Sequence, residues 1–557
     1  MLTSKEFVKD LGIDAEFHRP VAEYLRQWKL NTRVNILIVV DYRISVSPAE
    51  SFGIATVINL IRNTQVGCMR FRVDLALRNG EAPTVVASPS PIEHKYRGFR
   101  FNMTDGATPV IDKYEQIWCF GFEPGNSGDT SDAPINDRLA FPASDAELAK
   151  LSEWMKVKKG GVFGTGDHHF LGASMCKRIP RLGTMRRWTN ADGVPTQFGT
   201  TRIDTLRPPS AAYMPGAPGQ LPMKNEPEQG DLTVQPIQWS TWRRSFWPFG
   251  SRNRPHPVLC HPELGPIDVM PDHAHEGLCV EASDINLGVT YNFGAGAEPE
   301  YPDAIDGGMK PAPFVIAHGS NLSDPPYRFE KGTQPARSYN PMISIYDGHR
   351  AGVGRVATDS TWHHWMDVNI NRIRTANTTD WQKISRYFIN LAVWLSPPGY
   401  STNCFWLCAV VSHFHTVGFQ EYHPKASVRE LGRSLKLHLA SVYGPCWVTD
   451  RIWDIIWERR LFPWEILRDI REPKIDFGGL DPDVIEELIL GHIVRATFDD
   501  AKEITAAAAK GRSGEAKVTL DPPDKAFDKP LLMALQDFAE GLKEHYAAGQ
   551  RLMSALK

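Results

Sequence analysis

Apolar residues run almost unbroken through Val34-Asn35-Ile36-Leu37-Ile38-Val39-Val40-Asp41, the pattern of a strand buried on both faces and closed by an acid. After Ser47-Pro48, the positions Phe52, Ile54, Val57, Ile58 and Ile61 recur at helical spacing. Met69 to Leu75 alternates as a second strand, and Gln116 to Phe122 predicts a third that ends in a loop rich in Gly, Ser and Asp. Ser144-Asp145-Ala146-Glu147 opens a helix whose cap and acidic first turn are together worth about 1 kcal/mol. Its apolar stripe is Leu148, Leu151, Trp154 and Met155, and it leads through Lys158-Lys159 into Gly160-Gly161-Val162-Phe163-Gly164-Thr165-Gly166-Asp167-His168-His169. That last stretch reads as a short buried strand stopping in a glycine-rich bend before a further helix. Alternation of this kind predicts an α/β fold with a mostly parallel sheet covered by helices.

From about 176 to 255 the pattern breaks into Arg/Trp stretches around a proline-rich segment, which predicts a partly irregular insertion over the sheet edge, anchored by aromatics with solvated cations. Stacking of Trp242 or Trp247 on a base or sugar is the alternative reading of those aromatics. Strand patterns resume at Pro313 to Gly319, Met342 to Gly348 and Gly352 to Ser360. The turn Tyr346 to Gly352 reads as solvated, with an anion clamp by His349 and Arg350 as its alternative. Beyond 376 the period is helical, with long amphipathic helices over Val484–Lys510 and Pro530–Lys557. Three units follow: a helical preface over 1–30, an α/β domain over 31–375 and an α-helical C-terminal domain over 376–557.

Composition changes this picture little. The 557 residues carry 62 basic and 65 acidic side chains, a net charge of -3, so bulk charge does not support a nucleic-acid partner, although a local basic patch stays open. Eight scattered cysteines, several inside apolar runs, read as buried thiols of a reducing compartment. With no signal-peptide pattern and no apolar run of about 18 residues, a cytoplasmic location off the membrane is expected.

Six of the 18 histidines fall in three short polar clusters: Asp167/His168/His169, Asp272/His273/His275/Glu276 and Asp359/His363/His364. All three sit at predicted strand ends or loops, where open α/β sheets keep their chemistry. Imidazole with carboxylate can ligate zinc, iron or manganese, can move protons near neutral pH without metal, or can simply hydrogen-bond in the core. The nominated metal ligands are His168, His273, His275 and His363. Within the adjacent pairs, one ring is expected to face the cleft and the other the core, or in the later pair to stack on Trp362 or Trp365.

The opening strand, the Ile117–Gly121 strand, the helix leading to Gly160-Gly161-Val162-Phe163-Gly164, and the late Gly354-Arg355-Val356 strand ending in Asp359 and His363 together resemble the class I glutamine amidotransferase-like superfamily, within it the trehalose-utilisation (ThuA-like) branch. The resemblance covers roughly 34–370. It implies a flavodoxin-like three-layer sheet, and His168 and His363 or His364 as counterparts of that branch's histidines. The superfamily's nucleophilic cysteine is not here: Gly166-Asp167-His168-His169 stands at the elbow, and Cys176 lies about two helical turns on. The implied function is a hydrolase or acid–base enzyme for a small polar, sugar-like ligand, using Asp167, His168, Glu276 and His363. The rival is a catalytically inactive ligand sensor or scaffold whose helical tail assembles copies or recruits a protein partner.

Overall fold

In a computed structural model the described residues are 33–41, 44–121, 142–166, 173–188, 234–247, 250–271, 278–320, 328–329, 332–333, 339–376, 378–400, 402–405, 426–458, 483–510 and 528–555. The preface over 1–30 lies outside them, as does most of the stretch 511–529 expected to connect the last two helices. The fold is α/β, built on a large mixed sheet with a parallel centre. The principal strands are β1 (Arg33–Asp41), β2 (Met69–Arg78), β3 (Gln116–Gly121), β4 (Gly161–Gly166), β5 (Gln235–Trp239), β6 (Phe314–Ser320), β7 (Tyr339–Tyr346) and β8 (Val356–Asp359). They lie in the order β5-β6-β7-β8-β4-β3-β1-β2. From β8 to β2 all neighbours are parallel, while β5 to β8 pair antiparallel. A segment expected to lie over the sheet as an insertion thus contributes a strand, β5, to the sheet itself.

The runs that looked buried on both faces are so because each face carries its own core. Val34, Ile36, Ile38 and Val40 of β1 join one cluster, and Leu37 and Val39 join the other. The first cluster takes the apolar faces of α1 (Ala55–Asn63), α3 (Asp367–Thr375) and α4 (Thr379–Trp394); the second takes that of α2 (Asp145–Val157). Helix α2 begins as expected, with Ser144 and Glu147 forming a reciprocal capping box. The first cluster continues without a break into α5 (Val428–Tyr443), α6 (Pro445–Glu458), α7 (Asp483–Lys510) and α8 (Asp528–Ala555), through Leu435, Ile452, Ile489 and Leu531.

Glycines at the entry to β4 are there for space. A Cβ on Gly161 would lie 2.2 Å from the Leu395 carbonyl oxygen, and one on Gly354 would lie 1.8 Å from that of Gly160. Substitution at either would push α4 or the β8 approach off β4. The anchor beside them is Arg355, 4% exposed, whose guanidinium bonds Asp347 and Asp454 at 2.8 Å each and so joins the sheet to α6. Burial alone would raise the Asp347 carboxyl, but Arg355 reverses this and holds it well below the usual range.

Candidate functional site

Strand β8 is buried along its whole length, so it delivers the carboxylate of Asp359 into the core at the carboxyl end of the parallel strands. A buried carboxylate persists only if donors replace its water. Here Oδ2 accepts from His364 Nδ1 at 2.8 Å, from Trp365 Nε1 at 3.2 Å and from the Tyr387 hydroxyl at 3.2 Å, and Oδ1 accepts from the Thr361 N–H at 3.3 Å. Both neighbouring acids feel burial first and then this charge: the Tyr387 phenol and the Cys279 thiol are each pushed well up.

Across the same strand ends lies Arg186, 1% exposed. Its Nη2 donates to the carbonyls of Gly166 at 3.1 Å and Ser360 at 2.9 Å, and its guanidinium stacks 4.4 Å above the Trp188 ring. Arg186 also pairs with Cys279 in a short antiparallel ribbon, Arg186–Arg187 against Leu278–Cys279. Gly166 immediately precedes Asp167, Leu278 follows Glu276 by two positions, and Ser360 precedes His363 by three. The described flanks of all three polar clusters therefore meet at one residue, two on the Arg186 guanidinium and the third on its backbone.

Asp167, His168, His273, His275 and Glu276 themselves lie outside the described residues. His363 is described and is 1% exposed, with its ring 4.1 Å from that of Trp362 and its Nδ1 accepting from Asn369 Nδ2 at 3.2 Å. The adjacent pair divides its work, but neither ring is open as expected of one facing a cleft: His364 serves the Asp359 carboxylate, His363 stacks on Trp362, and both are buried. Asp367, just downstream, accepts from the Ala55 and Thr56 N–H groups at 2.9 Å each, holding the start of α1 beside this cluster. Burial raises its carboxyl, and those donors only partly offset it.

Chemically, a carboxylate bonded to an imidazole, as in Asp359–His364, can fix the ring's tautomer. The hydroxyls of Ser360 and Ser344, both fully buried, have no hydrogen-bond partner among the described residues. Among the described residues no group of three His, Cys, Asp or Glu side chains is placed to hold a metal. Seven described cysteines are buried. No described helix is long and apolar enough to cross a membrane.

Two expectations change. The turn at Gly348–Ala351 is not solvated: it is a buried 3-10 turn, and His349 is 8% exposed with burial and then Arg355 holding its pKa well below the usual value. Arg186, expected among solvated cations of the insertion, is instead a buried tie. Sequence reasoning also missed Tyr387, although its position between Ile384 and Phe388 on the apolar stripe of α4 placed it on the core face. No family model matches this chain, and neither does any curated protein or solved structure.

Proposed function

We propose that this chain is an acid–base enzyme, hydrolase-like in its chemistry, acting on a small polar, sugar-like substrate at the carboxyl ends of β4 and β8. The observation that carries the reading is Arg186, which draws together the backbones adjoining the three His/Asp/Glu clusters. The parallel order β2-β1-β3-β4-β8 supports a flavodoxin-like, class I amidotransferase-like sheet of the ThuA-like kind, since by chain position it is the 2-1-3-4-5 order of doubly wound folds. In this proposal Asp167 and His168 take the elbow, a histidine is the base and Glu276 the acid, and His363 supports them from its buried place against Trp362. The set His168, His273, His275 and His363 is the one that would hold a zinc, iron or manganese ion. Metal analysis of purified protein, followed by hydrolysis assays on a panel of small glycosides, tests it. Turnover that falls at least about 100-fold in both Glu276→Gln and His363→Gln, with the folded spectrum kept, is expected. Turnover unchanged in both variants would sink it.

The second reading, a sensor or scaffold with a C-terminal helical domain for assembly, is favoured by apolar side chains left open on the tail helices: Leu437 is 68% exposed, Leu532 50% and Met553 62%. Sedimentation that shows a dimer in the wild type and a monomer in Leu437→Lys/Leu532→Lys would favour it.

A further inference from the structure

At the opposite end of the sheet from this site, the amino ends of β1 and β2 border an open groove of about 860 Å³. Its wall follows from strand register. Arg33 of β1 is the direct neighbour of Arg70 of β2, and Asn35 is the neighbour of Arg72. Paired residues share a face and strand neighbours lie about 4.8 Å apart, while Arg70 and Arg72 share a face about 6.7 Å apart along one strand. Three guanidinium groups therefore rise from one corner of the sheet as a small grid. Lys95 closes one side, bonded to Asp74 at 2.7 Å. Arg62 closes the other, its Nη2 bonded to the Val73 carbonyl at 2.7 Å.

The groove lining carries five cations against two acids, Asp74 and Glu93, for a local charge of +3 in a protein whose net charge is -3. The rest of the lining supplies short polar groups, including Thr64, Ser88 and Ser90. Helix α1 ends here, and its carbonyl dipole, equivalent to about half a negative charge, opposes an anion. Three net positive charges outweigh it. An added peptide strand is the less suitable occupant: Arg62 already takes the Val73 carbonyl on the outer edge of β2, the device that blunts an open sheet edge.

We propose that this groove is a binding site for a small oligophosphate-bearing ligand, gripped by Arg70 and Arg72 with Arg33 beside them. Guanidinium forks bind phosphate oxygens in pairs, and Arg70 and Arg72, which rest on Gln65 at 2.8 Å and beside Asp74 at 3.5 Å through Nε, offer two forks for two linked phosphates. The site is separate from the strand-end cluster, so its failure leaves the catalytic reading untouched.

Calorimetric titration of the full chain with inorganic pyrophosphate tests this, with sulfate and a single-stranded oligonucleotide as comparison ligands. Saturable pyrophosphate binding that weakens about tenfold or more in Arg70→Ala/Arg72→Ala is expected, with an unchanged circular dichroism spectrum. Because Arg72 is 57% exposed, Arg72→Ala alone keeps the test valid if the double variant fails to fold. No pyrophosphate binding, equal binding of sulfate, binding of the oligonucleotide alone, or affinity unchanged in the variants would each overturn it.

Discussion

Asp359 shows how far one buried charge organises its surroundings, since its two oxygens take donors from a loop N–H, an imidazole, an indole and a phenol. Removing the carboxylate leaves those donors buried without an acceptor, which costs more than the net worth of any single bond. Asp359→Ala is therefore expected to lower stability by about 3 kcal/mol in urea unfolding, and a loss under about 1 kcal/mol would show that the network does not hold the strand end. Glu147 makes the pH argument. It is 3% exposed and takes both forks of Arg78, at 2.7 and 3.1 Å. Burial by itself would raise its carboxyl, but Arg78 and the Phe101 N–H reverse that and leave it lowered. A lowered acid contributes stability above its ordinary value of 4.5 and loses it as pH falls through the folded value. Unfolding midpoints of Glu147→Gln should thus be lower than wild type at neutral pH and fall less steeply on acidification. An acid limb as steep as that of the wild type would refute this.

At the scale of elements, the crossing of α5 and α7 depends on two glycines that face each other's backbone. A Cβ on Gly432 would lie 1.6 Å from the Glu487 carbonyl oxygen, and one on Gly491 would lie 1.9 Å from that of Val428. Alanine is the better helix former by about 1 kcal/mol, so propensity alone predicts a gain from either substitution. Contact with rigid backbone is the larger effect, because neither helix can yield without separating from the other, and overpacking of this kind costs about 1–3 kcal/mol or more. Gly432→Ala and Gly491→Ala should each lower the thermal midpoint, and a raised midpoint would mean the helices lie further apart. The same logic explains why Gly161 and Gly354 stand where β4 and β8 enter the sheet.

For the whole molecule, the first core cluster runs from the sheet through α4 into α8. Gln116 of β3 donates to the Ala392 carbonyl of α4 at 2.6 Å, and Trp242 donates to Asp450 of α6 at 3.0 Å. A chain shortened to residues 31–375 loses every helix from α4 onward and exposes the apolar face of the parallel strands. It is expected to bind a hydrophobic dye or to aggregate, whereas a soluble, cooperatively melting product would show that the sheet needs no cover from the tail.

The linear order of residues was enough to place β1, β2, β3, β4 and α2, because buried-strand runs, alternation and a capping box are local signals carried by neighbouring side chains. It also drew attention to the strand ends at Gly166 and Asp359, where polar residues interrupt apolar runs. It could not show that Arg186 is buried, that β5 joins the sheet, or that His349 sits in the core. Those depend on contacts between residues far apart in the chain: Arg186 meets Ser360 across 174 positions, and Tyr387 meets Asp359 across 28. Periodicity decides which face of an element is apolar, but only packing decides what that face meets, and so which charges are taken from water and must be answered by a partner.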